Sequence, residues 1–338
     1  MKKYLIIFLL TLPLTSLAQK RLKALRALPV SVIAYDNQNN MRQGQGVRVG
    51  ENGTIVTEYD MLKGASRAVV IDQAGTESEV KTLEGASSLY NVAKINTESV
   101  PKNFTAPEIY QSPMKVGDVV FILPPYNADK KAVSVTDTIK KVETFKEQFY
   151  YYTLTKTHKE RFLGGTVVNE DGQLVGTLQA ASQTESPSFV MDIHYPLSLS
   201  VNAINAKNMD LTAIDLPLQM PTTEDNATAF LFFADRTNKA RYEAYIRTFI
   251  QRFPQSATGY TTLADYYLQD NAFARADSVY EVALQQEGLT KDEIHYSRSK
   301  AAYTLCTTPQ PSKYDKWTAA FALSEAQDAN KIRPLPTY

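Results

Sequence analysis

Residues 164–176 read GGTVVNEDGQLVG, and this stretch is the most informative part of the sequence about the fold. Two apolar runs, TVV and LVG, flank the turn residues Asn169 to Gly172, which is the pattern of a β-hairpin. Residues Glu51 to Gly53 form a similar turn between two other apolar runs. Both patterns predict short antiparallel strands joined by tight turns.

The rest of residues 29–191 consists of similar β-rich runs separated by Gly, Asn, Asp and Pro. A stretch that contains Pro and Ser, residues 96–117, divides these runs into two groups of six. Two six-stranded antiparallel barrels are expected, because closing a sheet removes its exposed edges. The predicted strands are 30–34, 45–49, 53–57, 67–71, 77–83 and 92–95, then 118–123, 132–142, 149–154, 166–168, 174–180 and 188–191.

Five short stretches of this region occur in a characteristic order. They are QGV to NGTIVT at 45–57, KGA at 63–65, VAKI at 92–95, VGDVV at 116–120, and the hairpin sequence at 164–176. In order and spacing they resemble the Deg/HtrA-type trypsin-like serine proteases. The resemblance covers roughly residues 28–204 and implies a trypsin-like double β-barrel with a cleft for an extended peptide.

The catalytic positions of that family are occupied by other residues here. The family's histidine lies in T-N-x-H-V-x-x-G-A, where this chain reads TEYDMLKGA and has Asp60. The family's aspartate opens D-L-A-V-L-K-I, and counting back from Lys94 places Leu89 there. The serine of G-N-S-G-G is replaced by Leu163. The resemblance therefore implies a protease framework in which all three triad positions are degenerate.

The chemistry of acyl transfer explains why these replacements matter. The reaction needs an oxygen nucleophile, an imidazole base and a carboxylate that orients the base. Leu163 has no atom that could attack a carbonyl, and a carboxylate such as Asp60, with a reference pKa of roughly 3.9, accepts protons weakly. We predict a non-catalytic pseudoprotease. The alternative is a hydrolase with a non-standard active site, for which Asp60 and Glu160 offer a pair of carboxylates.

A protease cleft can bind an extended peptide by main-chain hydrogen bonds even when it has lost its catalytic residues. Residues 188–191 occupy the place that resembles the family's peptide-pairing edge, and the residues around Leu163 would form an apolar floor. Leucine could equally fill the vacated pocket and seal it. The peptide-binding candidates are Phe162, Gly164, Gly165, Ser188, Phe189 and Val190.

From about Asn226 the apolar period changes from two to nearly four, which predicts helices. Seven Tyr, Leu and Ala residues match the spacing of a 34-residue tetratricopeptide unit that starts at Ala257. They are Tyr260, Leu263, Ala264, Tyr267, Ala276, Tyr280 and Ala283. Further helices are predicted at 239–252, 291–305 and 313–329. The two readings are a tetratricopeptide-like domain that docks a protein and a generic helical appendage.

The N-terminal residues have the pattern of a signal peptide. Lys2 and Lys3 precede an apolar run at 4–14, and residues 16–18 read SLA, a signal-peptidase site. A periplasmic or secreted protein without an integral membrane segment after cleavage is expected. The predicted organisation is a signal peptide at 1–18, a double β-barrel at 24–205, a linker at 206–225 and a tetratricopeptide-like domain at 226–335.

Composition limits the partners and cofactors. The chain has 338 residues with 36 Lys and Arg against 36 Asp and Glu, so no net charge attracts nucleic acid. Its only cysteine, Cys306, excludes an intramolecular disulfide. The three histidines are scattered without metal-ligand spacing, and His158, in a charged loop, is expected to be solvated. We expect no metal, no cofactor, and a protein or peptide partner.

Overall fold

The structure is a computed structural model that describes residues 25–102, 104–123, 134–180, 187–308 and 314–334. The chain divides into two compact units. The first contains the residues up to Val201 together with Asn208–Gln219, and the second contains Asn202–Lys207 and the residues from Met220 onwards. The predicted signal peptide, 1–18, lies outside the described residues.

The first unit begins with an antiparallel sheet of seven strands in the order β5-β4-β1-β2-β3-β7-β6. Its inward-facing side chains, such as Val30, Val32 and Val70, are fully buried. A short helix, α1 (Tyr59–Leu62), follows β3. The strands are β1 (Pro29–Asp36), β2 (Met41–Arg48), β3 (Thr54–Thr57), β4 (Ala65–Ile71), β5 (Glu77–Glu79), β6 (Thr82–Ser87) and β7 (Val92–Asn96).

This sheet has one strand more than the sequence predicts, because the predicted strand 77–83 is divided in two. The N–H of Val80 donates to the carbonyl of Ala68 in β4, whereas the N–H of Lys81 donates to the carbonyl of Asn96 in β7. The chain therefore crosses from one edge of the sheet to the other between these residues. The sheet curls until its edges approach each other at this corner, while β5 and β6 pair with different neighbours.

The second sheet is a closed antiparallel barrel of six strands in the order β10-β13-β12-β11-β8-β9. The hairpin predicted at 164–176 is formed by β11 and β12, and Gly172 in its turn has a φ of +70°. One apolar core links this barrel to the first sheet through Val47 and Val56. The strands are β8 (Val119–Ile122), β9 (Val135–Phe145), β10 (Phe149–Leu154), β11 (Thr166–Asn169), β12 (Leu174–Gln179) and β13 (Phe189–Asp192).

Two short helices follow the barrel, α2 (His194–Ser198) and α3 (Met209–Thr212). After α3, the chain runs parallel to β6. The N–H of Leu83 donates to the carbonyl of Pro217, and the N–H of Gln219 donates to the carbonyl of Leu83, both at 2.8 Å. Part of the segment interpreted from the sequence as a linker thus lies along the first sheet.

The second unit is helical, and consecutive helices pack in pairs through faces of small and aromatic side chains. All seven residues of the predicted tetratricopeptide spacing are buried on α6 and α7. The helices are α4 (Glu224–Phe233), α5 (Lys239–Arg252), α6 (Ala257–Gln269), α7 (Phe273–Gln285), α8 (Asp292–Thr307) and α9 (Ala319–Ile332).

The predicted fold class, an antiparallel double β-barrel of trypsin-like type followed by helices, is confirmed, with an incompletely closed first barrel. The predicted helix 313–329 begins only at Ala319, whose helix is capped by the Thr318 hydroxyl; residue 313 lies outside the described residues. Within the described part of the chain, no helix combines the length and hydropathy that a bilayer span requires.

Candidate functional site

The first element of the candidate site is the start of α1, where the chain leaves β3 through Glu58. The backbone N–H of Asp60 donates to Oδ1 of Asn91 at 2.9 Å. Arg42 donates to the carbonyl oxygens of Asp60 and Lys63, which fixes the other side of this helix. The carboxylate of Asp60 itself is exposed.

The residue that reaches α1 from the turn before β7 is Asn91 and not Leu89. The Leu89 side chain, which the family pattern places at the position of the orienting aspartate, is 80% exposed. Asn91 has a φ of +46°, a conformation that asparagine tolerates well, and its amide also donates to Glu58 Oε1 at 3.4 Å. Counting from the D-L-A start of the family pattern would have found it, as Asn91-Val92-Ala93.

The Leu163 position lies between a 3-10 turn, Glu160–Phe162, and the glycine pair. Leu163 is half-buried and packs against the apolar core of the second barrel, and Phe162 is buried. The N–H of Gly164 donates to the carbonyl of Leu178 at 2.7 Å, and the N–H of Leu178 donates to the carbonyl of Gly165 at 2.9 Å. The backbone at the predicted nucleophile position is therefore bonded to the chain's own strand β12.

Gly164 marks the close contact between the two sheets. Its φ is +71°, and a Cβ atom at this position would lie 2.9 Å from the carbonyl oxygen of Gln45 and 3.3 Å from Glu58 Oε2. Only glycine combines this backbone conformation with such a small volume. The carboxylate of Glu58 thus lies directly against the glycine pair.

Glu58 is the most perturbed carboxyl group at this site. Its pKa is raised to about 7, mainly by burial and to a smaller extent by the negative charges of Asp60 and Glu160. The sequence predicted the pair Asp60 and Glu160, and Glu58, two residues before Asp60, was not assigned to it. No local pattern marks it, because its burial results from the approach of Gly164 across the sheet contact.

Gln179, at the end of β12, is a further residue of this site that the sequence did not indicate. Its Nε2 donates to the carbonyl of Tyr90 at 2.8 Å and to that of Asn91 at 3.3 Å. Its Oε1 accepts from the hydroxyl of Tyr151. Gln179 therefore ties the turn that carries Asn91 to the second barrel.

The predicted peptide-pairing edge at 188–190 is not a free edge. Val190 pairs with Tyr152 of β10 on one side and with Leu178 of β12 on the other. Ser188 and Val190 are buried, and Phe189 is partly buried. Closure of the barrel satisfies both sides of β13, so the prediction of peptide pairing at Ser188, Phe189 and Val190 is wrong for the described strands.

The three imidazoles are bonded to carboxylates. His158 Nε2 lies 2.7 Å from Asp137 Oδ2, and their side chains are 5% and 0% exposed, so the expectation of a solvated His158 is wrong. His194 pairs with Asp192 at 2.8 Å and His295 pairs with Glu325 at 2.7 Å. In the described ranges, three or more ligand side chains that could hold a metal do not occur together.

The helical unit contains a separate candidate site. A cavity of about 480 Å³ opens between α6 and α8. Its lining includes the carboxylate of Asp265 and the ammonium of Lys300 over apolar side chains such as Leu268. The seven residues of the tetratricopeptide spacing lie on the buried faces of α6 and α7 and are not among the residues that line the cavity.

No protein-family model matches this chain, and no curated protein matches it. Among solved structures, the HtrA-type protease AlgW with a tripeptide is similar, with 16% identity and a TM-score of 0.44 over 52% of this chain. A variant of that protease with a tripeptide gives the same values. The chain spans 60% of the length of these structures.

Proposed function

We propose that this chain is a pseudoprotease, a protein with a trypsin-like fold that does not cleave peptide bonds and instead binds a peptide or protein partner. The observation that carries the proposal is the set of side chains at the former triad positions. Asp60 and Asn91 meet at the start of α1, and Leu163 packs into the core at the nucleophile position. Together they provide neither a hydroxyl or thiol nucleophile nor a ring nitrogen.

The magnitude of the loss argues against residual proteolysis. In a working triad, loss of a member leaves roughly a 10³–10⁴-fold advantage over water, which comes from the oxyanion hole and substrate binding. Here the backbone groups of Gly164 and Gly165 are hydrogen-bonded to Leu178, and Glu58 lies against Gly164. These groups occupy the space next to the nucleophile position. We therefore assign the binding function to the helical unit and not to the barrel cleft.

The helical unit suits this role because it combines a rigid support with an open cavity. We assign residues 226–335 to a tetratricopeptide-like binding domain and residues 24–205 to the double β-barrel, and within the predicted linker 206–225 the stretch Asn208–Gln219 belongs to the first unit. Stacked helix pairs of this kind present grooves that accept peptides or partner helices. The buried Tyr280 and Ala283 of α7 support the assignment, since they hold α6 and α7 together.

We also propose that the protein acts in the bacterial envelope or outside the cell. The proposal rests on the N-terminal sequence, whose Lys pair, apolar run and SLA site are typical of a cleavable signal peptide. Expression of the full chain in a bacterium followed by mass analysis tests it. The expected product lacks residues 1–18, and an uncleaved cytoplasmic product would refute the localisation.

Digestion of casein by the purified full-length protein tests the absence of proteolysis. We expect no peptide release above a buffer control over a day. Release that persists through purification and disappears on substitution of one identified residue would contradict the proposal.

The second candidate function is hydrolysis by carboxylates, and Glu58 is the observation that favours it. A carboxyl group with a pKa of about 7 beside carboxylates can act as a proton donor while its neighbour stays ionised. If this function were correct, E58Q would abolish peptide hydrolysis, whereas E51Q, at an exposed turn, would not. Absence of hydrolysis in the wild-type protein excludes it.

A further inference from the structure

The C-terminal end of α4 exposes two neighbouring aromatic rings. Residues 229–233 read AFLFF, so this end of the helix is apolar on every face. Phe230 and Leu231 are buried, whereas Phe232 is 71% and Phe233 is 46% exposed. The two exposed rings contact each other edge to face, with centroids 5.2 Å apart. A helix that is apolar all round is suited to apolar surroundings on every side, and the described residues provide them on one side only.

Basic residues follow the two rings along the chain. Arg236 is exposed three residues after Phe233, and its guanidinium lies over the ring of the buried Tyr242. Lys239 is exposed as well and pairs with Asp270 at 2.5 Å. The negative end of the α4 dipole lies at this segment, which favours cations there.

Two more cations lie close to Asp235, between the rings and Arg236. The N–H and the hydroxyl of Thr237 donate to the Asp235 carboxylate at 2.9 and 2.7 Å. These hydrogen bonds lower the pKa of Asp235, and the positive charges of Lys207 and Arg241 lower it further, which places both cations near this loop. The segment thus combines four cations with two carboxylates: Lys207, Arg236, Lys239 and Arg241 with Asp235 and Asp270.

We propose that this surface, formed by Phe232, Phe233 and these four cations, attaches the helical unit to an anionic phospholipid bilayer. The two rings enter the boundary between head groups and acyl chains, and the cations contact the lipid phosphates. Charge complementarity favours a lipid surface, because the excess of cations beside the rings matches negative head groups. A bilayer also accepts protruding rings without a pocket of matching shape.

The other charges of α4 lie away from this surface. Glu224 and Asp225 are in the first turn of the helix, about 12 Å along its axis from Phe232. At that distance, repulsion between these carboxylates and a bilayer is largely screened at about 0.1 M salt. All residues of the surface belong to the second unit. The inference goes beyond the proposed function, since it gives the helical unit a lipid surface in addition to a protein partner.

Sedimentation with lipid vesicles tests the proposal. The chain from Gln19 onwards is used, because the apolar run at 4–14 would itself bind lipid. Vesicles of phosphatidylcholine with roughly 30% phosphatidylglycerol are compared with pure phosphatidylcholine in about 0.1 M NaCl. We expect at least ~10-fold tighter binding to the anionic vesicles, because each basic residue near such a surface contributes a factor of about five.

Substitutions separate the contributions of the rings and the charges. F232A combined with F233A is expected to weaken binding to anionic vesicles at least ~10-fold, because two aromatic rings lose their burial. R236Q is expected to weaken it ~5-fold and to make it less sensitive to salt. L323A is the matched control, because Leu323 is 61% exposed on α9 and is not part of this surface. It should bind like wild type, and thermal melting checks the folding of all variants.

Insertion of the rings has a separate readout. The only tryptophan of the chain, Trp317, is 3% exposed and gives a background that lipid should not quench. In F232W, phospholipids with brominated acyl chains should quench the added fluorescence, whereas in L323W they should not.

Equal binding of the two vesicle types, or wild-type binding by the variant with F232A and F233A, would overturn the proposal. Dimerisation that these two substitutions abolish, without any binding to vesicles, would also overturn it and would indicate that a second copy covers the rings. Either result leaves the proposed function unaffected. That function fails separately, through protease activity in the casein assay.

Discussion

Gly164 lies where the two sheets approach each other closely, and a larger residue would not fit there. It has a positive φ, and its missing Cβ leaves room for the Gln45 carbonyl and the Glu58 carboxylate. The same residue positions the backbone that follows Leu163. The backbone geometry beside Leu163 is therefore set by a glycine.

We expect G164A to lower the free energy of unfolding by about 2–4 kcal/mol, as the sum of backbone strain and overpacking. G117A is the matched control, because Gly117 also has a positive φ of +95° but has open space around its Cβ position. It should cost about 1 kcal/mol. Urea denaturation measures both values. Equal costs for the two variants would show that the contact at Gly164 does not exist.

Glu58 gives a pH-dependent prediction. Its pKa is about 7 in the folded protein against a model value of 4.5, so between these values the folded state holds more protons than the unfolded state. Stability must then fall as the pH rises from about 4.5 to 7, and the loss is complete above that window. E58Q removes this titration. The free energy of unfolding of E58Q minus that of wild type should therefore be larger at pH 8 than at pH 5, by on the order of 2 kcal/mol.

Urea midpoints of wild type and E58Q at both pH values measure this difference. The control is E51Q, because Glu51 is exposed in a turn and should show the same difference from wild type at pH 5 and pH 8. A constant offset between E58Q and wild type would contradict the account of Glu58.

At the scale of elements, the last three helices are held together by a buried ionic network around Asp277 of α7. Asp277 is 1% exposed and accepts from Arg298 of α8 at 2.6 and 2.8 Å and from Trp317 Nε1 at 2.9 Å. Arg298 in turn donates to Glu325 of α9 at 3.1 Å. Although burial opposes it, hydrogen bonds from Lys316, Trp317 and Arg298 lower the pKa of Asp277.

D277A is expected to destabilise the helical unit by about 3–5 kcal/mol, because it removes the closest ionic partner of the buried Arg298 and the acceptor of the Trp317 N–H. The matched control is E281Q, which removes an exposed partner of Lys316 and should change stability by less than about 1 kcal/mol. Circular dichroism during urea unfolding measures both. The lowered pKa of Asp277 also means that its contribution is present above pH 3.8 and is lost as the pH falls below that value.

The elements themselves show which features a sequence can reveal. The hairpin of β11 and β12 and the helices α6 and α7 were predictable, because turn residues and apolar spacing are local signals. The division of residues 77–83 into β5 and β6 was not, since it depends on Ala68 and Asn96, which come from opposite edges of the sheet. The pairing of β13 with both β10 and β12 likewise depends on residues that are far apart in the sequence.

At the scale of the whole molecule, the order of β-rich and helical halves was predictable from composition and period alone. The site was predictable only in part. Asp60 and Leu163 follow from motif positions, and Asn91 would have followed from the D-L-A start of the pattern, whereas the contacts of Glu58 and Gln179 come from other parts of the chain. Side chains that meet through tertiary packing leave no mark in their own sequence neighbourhood.

Asp60, Asn91 and Leu163 are the positions at which we expect a catalytic triad to be rebuilt by substitution. D60H, N91D and L163S combined should gain reactivity with a fluorophosphonate probe, because Asn91 contacts the start of α1. The control combines D60H and L163S with L89D and should stay unreactive, since Leu89 points to solvent. Reactivity of the control without reactivity of the first variant would restore Leu89 as the orienting position.

The most direct test of the central claim is the intact mass of the wild-type full-length protein after incubation with an excess of the fluorophosphonate probe. If no residue of this chain can perform acyl transfer, the mass stays unchanged while trypsin in a parallel tube is fully labelled. A stoichiometric adduct on one hydroxyl of the double β-barrel would contradict the account.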